Sequence, residues 1–226
     1  KLFFASSSEI FGKNSHNKLL NENSPTWPNN PYAISKLTAN YLIKLYRDRH
    51  DIFACSGILF NHESPLRGLQ FVTRKITHNI AKLKAGKTGV LLELGDLSSS
   101  RDWGSAIDYV RAMKLMLEAD APNDYIIATG KLSSVRECLR LSALSAGFDP
   151  IFEGNGVNEV CVDNISGRVI AKVLQRNIRE NETPPLAGDS TKLELATGWV
   201  RTRSFEKLIE EMVLADISRI KMGNDN

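Results

Sequence analysis

The clearest indication of the fold class is the stretch Phe4-Ala-Ser-Ser-Ser-Glu-Ile-Phe-Gly12, which is followed after a polar loop by Asn30-Pro-Tyr-Ala-Ile-Ser-Lys36. Residues 2–5 form a short apolar run, which is typical of a buried strand. Asn30 and Pro31 are residue types that cap and open helices, so a helix is predicted from there to about Arg49. The continuous apolar run over 52–60 indicates a second buried strand, of the kind found in parallel sheets.

Strands and helices continue to alternate along the rest of the chain. Helices are predicted over 72–84, 106–118, 134–146 and 205–220. Strands are predicted over 90–94, 125–128, from 151, and as a hairpin over 159–162 and 168–174. Helical spacing predicts an apolar face in the first helix and another in the helix over 106–118. The first consists of Ala33, Leu37, Tyr41, Leu42 and Leu45, and the second of Ile107, Val110, Met113 and Leu117. We therefore predict an α/β protein with a mostly parallel sheet.

Composition excludes several classes of protein. Of 226 residues, 42% are hydrophobic and 24% charged, with a net charge of +3. Basic and acidic residues are interleaved, which argues against a nucleic-acid partner, and no apolar run reaches the length of a membrane span. The cysteines Cys55, Cys138 and Cys161 lie far apart without the spacing of metal ligands. We therefore expect no metal site and a reducing, cytoplasmic setting.

The first residue is Lys1, and the chain enters a predicted core strand at once, without a signal-peptide pattern. Chains seldom begin inside a core strand without a loose terminal stretch. In addition, no G-x-G-x-x-G turn follows any predicted strand. We therefore expect a fragment whose earlier residues are missing.

Tyr32 and Lys36 stand four residues apart at the start of the first helix, so their side chains share one helix face. An ammonium group there would stabilise a tyrosinate electrostatically, and a tyrosine supported in this way can act as a general acid or base. A Tyr-x-x-x-Lys pair is weak evidence alone, because many such pairs are an exposed tyrosine beside a solvated lysine.

Ser7 and Glu9 follow the first predicted strand. Residues two apart in extended chain point the same way, so a hydroxyl and a carboxylate would share a face at the carboxyl end of this strand. Open α/β sheets bind their ligands at that end, where such a pair could orient an alcohol and abstract a proton. Taken alone, the pair could equally be a serine-rich turn with a solvated glutamate.

Together the two pairs are far more specific. A strand ending in Ser-x-Glu, then a loop, then Tyr-x-x-x-Lys opening a long helix resembles the extended short-chain dehydrogenase/reductases. Further blocks resemble, in order, those of the GDP-mannose 4,6-dehydratase family over most of residues 1–140: N-H-E-S-P at 61–65, V-T-R-K at 72–75 and R-D-W-G at 101–104. The resemblance implies a partial Rossmann-like, doubly wound parallel sheet with a smaller C-terminal α/β substrate-binding region.

In terms of domains, the resemblance implies that residues 1–60 are the remnant of an NADP-binding Rossmann domain and carry the catalytic motifs. Residues 61–226 would complete that domain and bind the nucleotide-sugar. Tyr32 would act on the sugar C4 hydroxyl, Lys36 would support it and hold the nicotinamide ribose, and Glu9 would remove the C5 proton and assist loss of the C6 hydroxyl. Ser7 occupies the family's threonine position. The other matching positions are His62 and Arg67 for NADP, and Asn61, Lys75, Arg101, Arg179 and Glu182 for the nucleotide-sugar.

The implied activity is that of a lyase that converts GDP-D-mannose to GDP-4-dehydro-6-deoxy-D-mannose by internal redox through NADP, in the metabolism that leads to GDP-fucose. The full-length protein is expected to be a homodimer or homotetramer. Two alternatives remain open. A nucleotide-sugar epimerase or reductase would need Tyr32 and Lys36 but not Glu9, and an inactive truncated binding module would need none of the three.

Besides Ser7, which stands in place of the family's threonine, the sequence departs from the family pattern at Leu66 and near Arg179. Leu66 stands where the family often has an arginine before Arg67, in a region that helps subunits meet. Near Arg179 and Glu182, Glu180 replaces a proline and residues 177–178 replace aromatics, which bears on guanosine recognition. The glycine-rich turn lies upstream of the first strand in the family and is absent here. We therefore expect these residues alone to bind NADP weakly.

Overall fold

The structure is a computed structural model that describes residues 1–13, 19–87, 89, 91–178 and 184–223. Its strands are β1 (Leu2–Ser7), β2 (Ala54–Leu59), β3 (Asn61–Glu63), β4 (Leu92–Leu94), β5 (Ser100–Arg101), β6 (Trp103–Ser105), β7 (Asp124–Ile127), β8 (Ser133–Ser134), β9 (Pro150–Glu153), β10 (Val160–Asp163) and β11 (Val169–Val173). Its α-helices are α1 (Pro31–His50), α2 (Val72–Lys84), α3 (Ala106–Glu118), α4 (Val135–Ser145), α5 (Thr191–Thr197) and α6 (Phe205–Lys221).

The chain divides into two compact units that alternate along the sequence. Unit 1 holds the described residues within 1–62, 101–132 and 183–204, and unit 2 holds those within 63–100, 133–182 and 205–226. The predicted boundary at residue 60 lies near the end of the first segment of unit 1. The residues after that boundary are divided between the two units.

Unit 1 contains a three-stranded parallel sheet in the order β1-β2-β7. The β1–β2 pairing runs from Leu2 opposite Ala54 to Ser7 opposite Leu59, and β7 continues the parallel pattern beside β2. The central strand β2 is buried along its whole length, as its continuous apolar character predicts. Because the strands are parallel, their carboxyl ends meet at one edge of the sheet.

Two hydrophobic clusters form the core of unit 1. One contains β2 and β7 side chains together with those of α3 and α5: Cys55, Leu59, Tyr109, Ala112, Met116, Tyr125, Ile127, Leu193 and Trp199. The other contains the intervening β2 and β7 side chains and the segments that follow β1: Ile10, Phe11, Leu20, Ile58, Phe60, Ile126, Ala128 and Leu186. Alternate residues of a strand point to opposite faces, which accounts for this division.

Helix α1 begins as predicted, with Asn30 as the N-cap and Pro31 in the first turn. The predicted buried face is wrong in part. Ala33 is the one fully buried residue of the helix, whereas Tyr41 is 63% exposed and Leu42 and Leu45 are also exposed. Helical spacing shows which side chains share a side of the helix, but it does not show which side is covered.

The predicted apolar face of α3 is only partly covered, since Met113 packs against the core of unit 1. Ile107 and Val110 are exposed, whereas Asp108, Tyr109, Ala112 and Met116 are buried. The indole of Trp199 donates to the carbonyl oxygen of Asp108 at 2.9 Å, and the later segment 202–203 donates to the Asp108 carboxylate. A distant segment therefore selects the buried side, and helical spacing alone did not reveal it.

Unit 2 contains a four-stranded sheet in the order β4-β11-β10-β9. Strands β10 and β11 form the predicted antiparallel hairpin, and β4 is parallel to β11. Helices α2, α4 and α6 pack on one another, and the Arg74 side chain of α2 forms an ion pair with Asp216 of α6 at 2.7 Å. In the described part of both units, no helix is long and apolar enough to cross a membrane.

Candidate active site

Ser7 and Glu9 lie at the carboxyl end of β1, but the chain between them is not extended. The strand ends at Ser7, and Ser8–Phe11 form a 3-10 turn. The expected sharing of one strand face is therefore wrong, because side chains alternate only while the strand continues. Instead, the turn keeps the two residues adjacent, since the Ser7 hydroxyl oxygen accepts a hydrogen bond from the backbone N–H of Glu9 at 3.2 Å.

Tyr32 and Lys36 lie in the first turns of α1, on the helix that packs against β1 and β2. The Tyr32 side chain is half exposed, with a relative exposure of 50%. The ammonium group of Lys36 donates to the carbonyl oxygen of Ala5 at 2.9 Å and lies 5.6 Å from the centroid of the Tyr32 ring. The predicted pair therefore consists of an accessible phenol and a cation that β1 holds in place beside it.

Asn30 connects these two predicted pairs. Its side-chain nitrogen donates to Glu9 Oε2 at 2.9 Å, and its side-chain oxygen accepts from the backbone N–H of Ala33 at 2.8 Å. The Glu9 carboxylate is therefore tied to the first turn of the helix that carries Tyr32. The sequence identified Asn30 only as a helix cap, because residue spacing does not reveal a contact across a loop.

Asn61 and His62 follow the central strand at the same carboxyl edge, and both are half buried. Nδ1 of His62 lies 2.9 Å from the carbonyl oxygen of Phe60. A carbonyl can only accept, so Nδ1 carries the proton in this contact. The imidazole also packs against the ring of Tyr109, with the centroids 5.4 Å apart. The imidazole is therefore oriented by a strand carbonyl and a core aromatic ring.

Asp102 fixes the loop that follows β7. The sequence did not reveal this role. The carboxylate of Asp102 is fully buried and accepts from the backbone N–H of Thr129, Gly130 and Gly188 at 2.8, 2.9 and 3.2 Å, and from the Thr129 hydroxyl at 2.5 Å. Burial raises the pKa of Asp102, while the hydrogen bonds from Thr129 oppose that shift. The predicted site residue Arg101 directly precedes Asp102 and is half buried.

The predicted site residues Arg67 and Lys75 belong to unit 2. The Arg67 guanidinium stacks on the Phe71 ring at 3.5 Å, and its Nε lies 3.4 Å from the buried carboxylate of Glu63. Burial raises the pKa of Glu63. Lys75 donates to the carbonyl oxygen of Glu93 at 2.6 Å. The Arg67 guanidinium and the Lys75 ammonium are therefore each fixed by contacts within unit 2.

Two further predictions concern residues that could bind a ligand. The predicted nucleotide-sugar contacts Arg179 and Glu182 lie outside the described residues. Within the described ranges, no group of three or more histidine, cysteine, aspartate or glutamate side chains is arranged to hold a metal ion.

Comparison with known proteins adds independent findings. A family model described as GDP-mannose 4,6 dehydratase matches residues 1–212. The GDP-mannose 4,6 dehydratase of Drosophila melanogaster is 40% identical over 98% of this chain and 55% of its own length. For the enzyme of Homo sapiens the identity is 41%, over 98% of this chain and 59% of the relative. This chain thus spans little more than half the length of these relatives.

Solved structures support the fold. The structure of RMD from Pseudomonas aeruginosa complexed with NADPH superposes with a TM-score of 0.81 at 24% identity, covering 96% of this chain and 66% of that one. A dTDP-glucose 4,6-dehydratase from Bacillus anthracis in complex with NAD superposes with a TM-score of 0.74 at 17% identity, covering 98% and 63%. The predicted α/β fold with a parallel sheet is confirmed. The family model and the relatives at about 40% identity show, in addition, that the chain belongs to the GDP-mannose 4,6-dehydratase family.

Proposed function

We propose that the protein carrying this chain is a GDP-mannose 4,6-dehydratase that uses NADP and takes GDP-D-mannose as its substrate. One observation supports this reaction above others: Asn30 ties the Glu9 carboxylate to the helix turn that bears Tyr32. Elimination of water from a sugar needs a base for a carbon-bound proton as well as a group that acts on the neighbouring alcohol. An epimerase or reductase has no use for such a carboxylate.

The residues present fit the nicotinamide end of NADP. The half-exposed phenol of Tyr32 and the fixed ammonium of Lys36 stand beside β1, whose carboxyl end lies at the edge where parallel sheets bind nucleotides. We assign His62 and Arg67 to the same cofactor, and Asn61, Lys75, Arg101, Arg179 and Glu182 to the nucleotide-sugar. The 226-residue sequence contains no glycine-rich turn for the pyrophosphate, so this end of the cofactor needs further residues.

In the proposed mechanism, Tyr32 takes the proton of the sugar C4 hydroxyl while the hydrogen on C4 leaves as hydride. When bound, NADP supplies the acceptor for that hydride and later the donor that returns it to C6. The new C4 ketone acidifies the C5 hydrogen, which Glu9 removes as a proton. Glu9 passes this proton to the C6 hydroxyl, so that the C6–O bond breaks and water leaves.

The proton held by Tyr32 finally goes to C5 as hydride arrives at C6. Atoms and electrons therefore balance: one GDP-mannose gives one GDP-4-dehydro-6-deoxy-mannose and one water. Lys36 stands beside the Tyr32 ring and holds the nicotinamide ribose, and Ser7 orients the C4 oxygen. Ser7, Glu9, Tyr32 and Lys36 all lie in unit 1.

The test is product analysis with two preparations. One is the 226-residue chain, and the other, the extended preparation, is the same chain joined behind a segment that supplies a strand, a glycine-rich turn and a helix, as the family resemblance implies. We expect the extended preparation, given GDP-mannose and NADP⁺, to release a product lighter by one water. A product of unchanged mass would identify an epimerase, and no turnover at all would support the inactive binding module.

A binding measurement complements this assay. We expect NADP⁺ to raise the melting temperature of the extended preparation and to leave that of the 226-residue chain nearly unchanged. The cofactor pyrophosphate needs the glycine-rich turn and the helix that follows it. A clear NADP⁺-induced shift of the 226-residue chain in differential scanning fluorimetry would contradict this expectation.

We further propose that the protein is a cytosolic homodimer or homotetramer. The uncovered apolar side chains of α1, among them Tyr41, Leu42 and Leu45, support self-association, since large apolar patches are unusual on monomers. The three free, buried cysteines fit a reducing compartment. Sedimentation of the extended preparation tests the assembly, and a monomer at micromolar concentration would contradict it.

A further inference from the structure

We propose that Asn30 is a positioning residue for the carboxylate of Glu9, and that this role is separate from its role as a helix cap. The side-chain oxygen of Asn30 accepts from the backbone N–H of Ala33 at 2.8 Å, and its NH₂ group donates to Glu9 Oε2 at 2.9 Å and to Asn29 Oδ1 at 3.3 Å. The inference rests on the proposed function, because it concerns the base that removes the C5 proton.

The chemistry of the amide fixes its orientation. The backbone N–H of Ala33 can only donate, so the atom of Asn30 that faces it is the oxygen. The NH₂ group then faces Glu9, where it meets an acceptor. In the reversed orientation, the NH₂ group would face the N–H of Ala33, and both groups are donors. The amide oxygen would then face the Glu9 carboxylate, and both groups are acceptors. Capping the helix therefore aims a hydrogen-bond donor at the Glu9 carboxylate.

The backbone brings Asn30 to this position. The N–H of Trp27 donates to the carbonyl oxygen of Ile10 at 2.9 Å, so the segment that leads to Asn30 runs along the turn that holds Glu9. Gly12 closes the same turn with φ of 57°, and a Cβ at this position would overlap the carbonyl oxygen of Trp27. The contact between Asn30 and Glu9 is thus set by backbone packing as well as by the two side chains.

Glu9 needs such a partner because its side chain is exposed. An exposed glutamate samples many rotamers, and a base that must meet one carbon-bound proton loses rate when it is misplaced. Among the described residues, Asn30 supplies the hydrogen bond that holds this carboxylate. It engages Oε2 and leaves Oε1 as the oxygen that takes the proton.

The decisive variant is Asn30→Asp, which has nearly the same shape. An aspartate oxygen still accepts from Ala33, so the helix cap is retained, but the second oxygen now faces Glu9 Oε2 and repels it. In the extended preparation, we expect kcat for water loss to fall by about 10- to 100-fold, the loss expected for a charge-assisted hydrogen bond, while KM stays nearly constant.

Two further readouts separate positioning from folding. Oxidation at C4, followed in a single turnover as reduced nicotinamide, should keep its rate in Asn30→Asp, because Tyr32 and Lys36 are unchanged. The control Asn23→Asp adds the same charge at an exposed position of the loop that precedes α1 and should leave both steps unchanged. If Asn30→Asp slowed oxidation and elimination equally, Asn30 would act only as a helix cap, and the proposal would be overturned.

A double-variant cycle measures the contact without any turnover. Asn30→Asp should lower the melting temperature of the extended preparation, and adding Glu9→Gln should restore it, since the glutamine amide can donate to the new carboxylate. Additive effects of the two substitutions would overturn the proposed contact. If the wild-type preparation fails to convert GDP-mannose, the proposed function fails, and this cycle still decides whether Asn30 holds Glu9.

Discussion

Replacing Asp216 with alanine should cost about 3–5 kcal/mol of the free energy of unfolding, the range for breaking a buried ion pair from one side. Asp216 is fully buried, and its carboxylate lies 2.7 Å from a guanidinium nitrogen of Arg74, which is 4% exposed. It also accepts from the Thr77 hydroxyl at 2.8 Å and from Arg219 at 3.2 Å. Burial lowers the pKa of Arg74 and Asp216 opposes this, so the alanine variant leaves a buried cation without its counterion.

The chain provides a matched control in Asp48, which pairs with Lys44 at 2.8 Å. The distance is nearly that of the buried pair, but the two side chains are 57% and 52% exposed. Water screens such a pair, so Asp48→Ala should leave the free energy of unfolding almost unchanged. At nearly equal pair distance, the difference between the two variants therefore measures the effect of burial together with that of the hydrogen bonds from Thr77 and Arg219.

The assay is urea denaturation of the extended preparation, with the midpoint and the slope measured for each variant. The double variant Arg74→Met with Asp216→Leu should recover most of the loss, because two apolar side chains leave no buried charge unpaired. A cost below about 1 kcal/mol for Asp216→Ala would refute this reasoning, since an exposed pair already accounts for that much. A double variant as unstable as the single one would refute it as well.

The remaining predictions concern single residues. Each carboxylate oxygen of Asp102 accepts two hydrogen bonds, and Asp102→Asn replaces one of these oxygens with an NH₂ group, which cannot accept them. The substitution should therefore lower the free energy of unfolding by about 2–4 kcal/mol in the same urea assay. Gly12→Ala places a methyl group against the carbonyl of Trp27 at a positive φ, and should cost at least about 2 kcal/mol; a neutral effect would contradict the observed turn. Burial raises the pKa of all three thiols, to about 12 for Cys161, so a thiol reagent at neutral pH should label the native protein far more slowly than the urea-denatured one.

Local patterns in the sequence predicted most elements because their signals lie within a few residues. The cap of α1 at Asn30, the helix from Val72 to Lys84 and the hairpin of β10 and β11 all rest on neighbouring residues. The short helix Thr191–Thr197 was missed, since seven residues carry little periodic signal.

The buried faces of the helices depended on distant segments and were predicted less well. The buried side of α3 is chosen by Trp199 and the residues after it, about ninety positions along the chain. For the same reason, Asp102 could not be identified as the residue that holds the loop at Thr129 and Gly130. Contacts of this kind depend on how the chain returns to itself, which spacing along the sequence does not encode.

The sequence predicted which elements carry the candidate residues, but it did not predict how Glu9 is held relative to the first helix. Ser7, Glu9, Tyr32 and Lys36 occur in the predicted elements or directly after them. The relation between Glu9 and the helix came instead from a 3-10 turn and from the side chain of Asn30. The prediction for Glu9 relied on the alternation of side chains along a strand. That alternation stops where the strand ends, which is before Glu9.

The most direct test of the proposed reaction is a single turnover of the Glu9→Gln variant in the extended preparation, with GDP-mannose and NADP⁺. Glutamine keeps the shape of the side chain and removes the base. We expect reduced nicotinamide to form at close to the wild-type rate and no water to be lost from the sugar. Release of the dehydrated product at the wild-type rate would contradict the assignment of Glu9, and loss of nicotinamide reduction would contradict its separation from the step carried out by Tyr32.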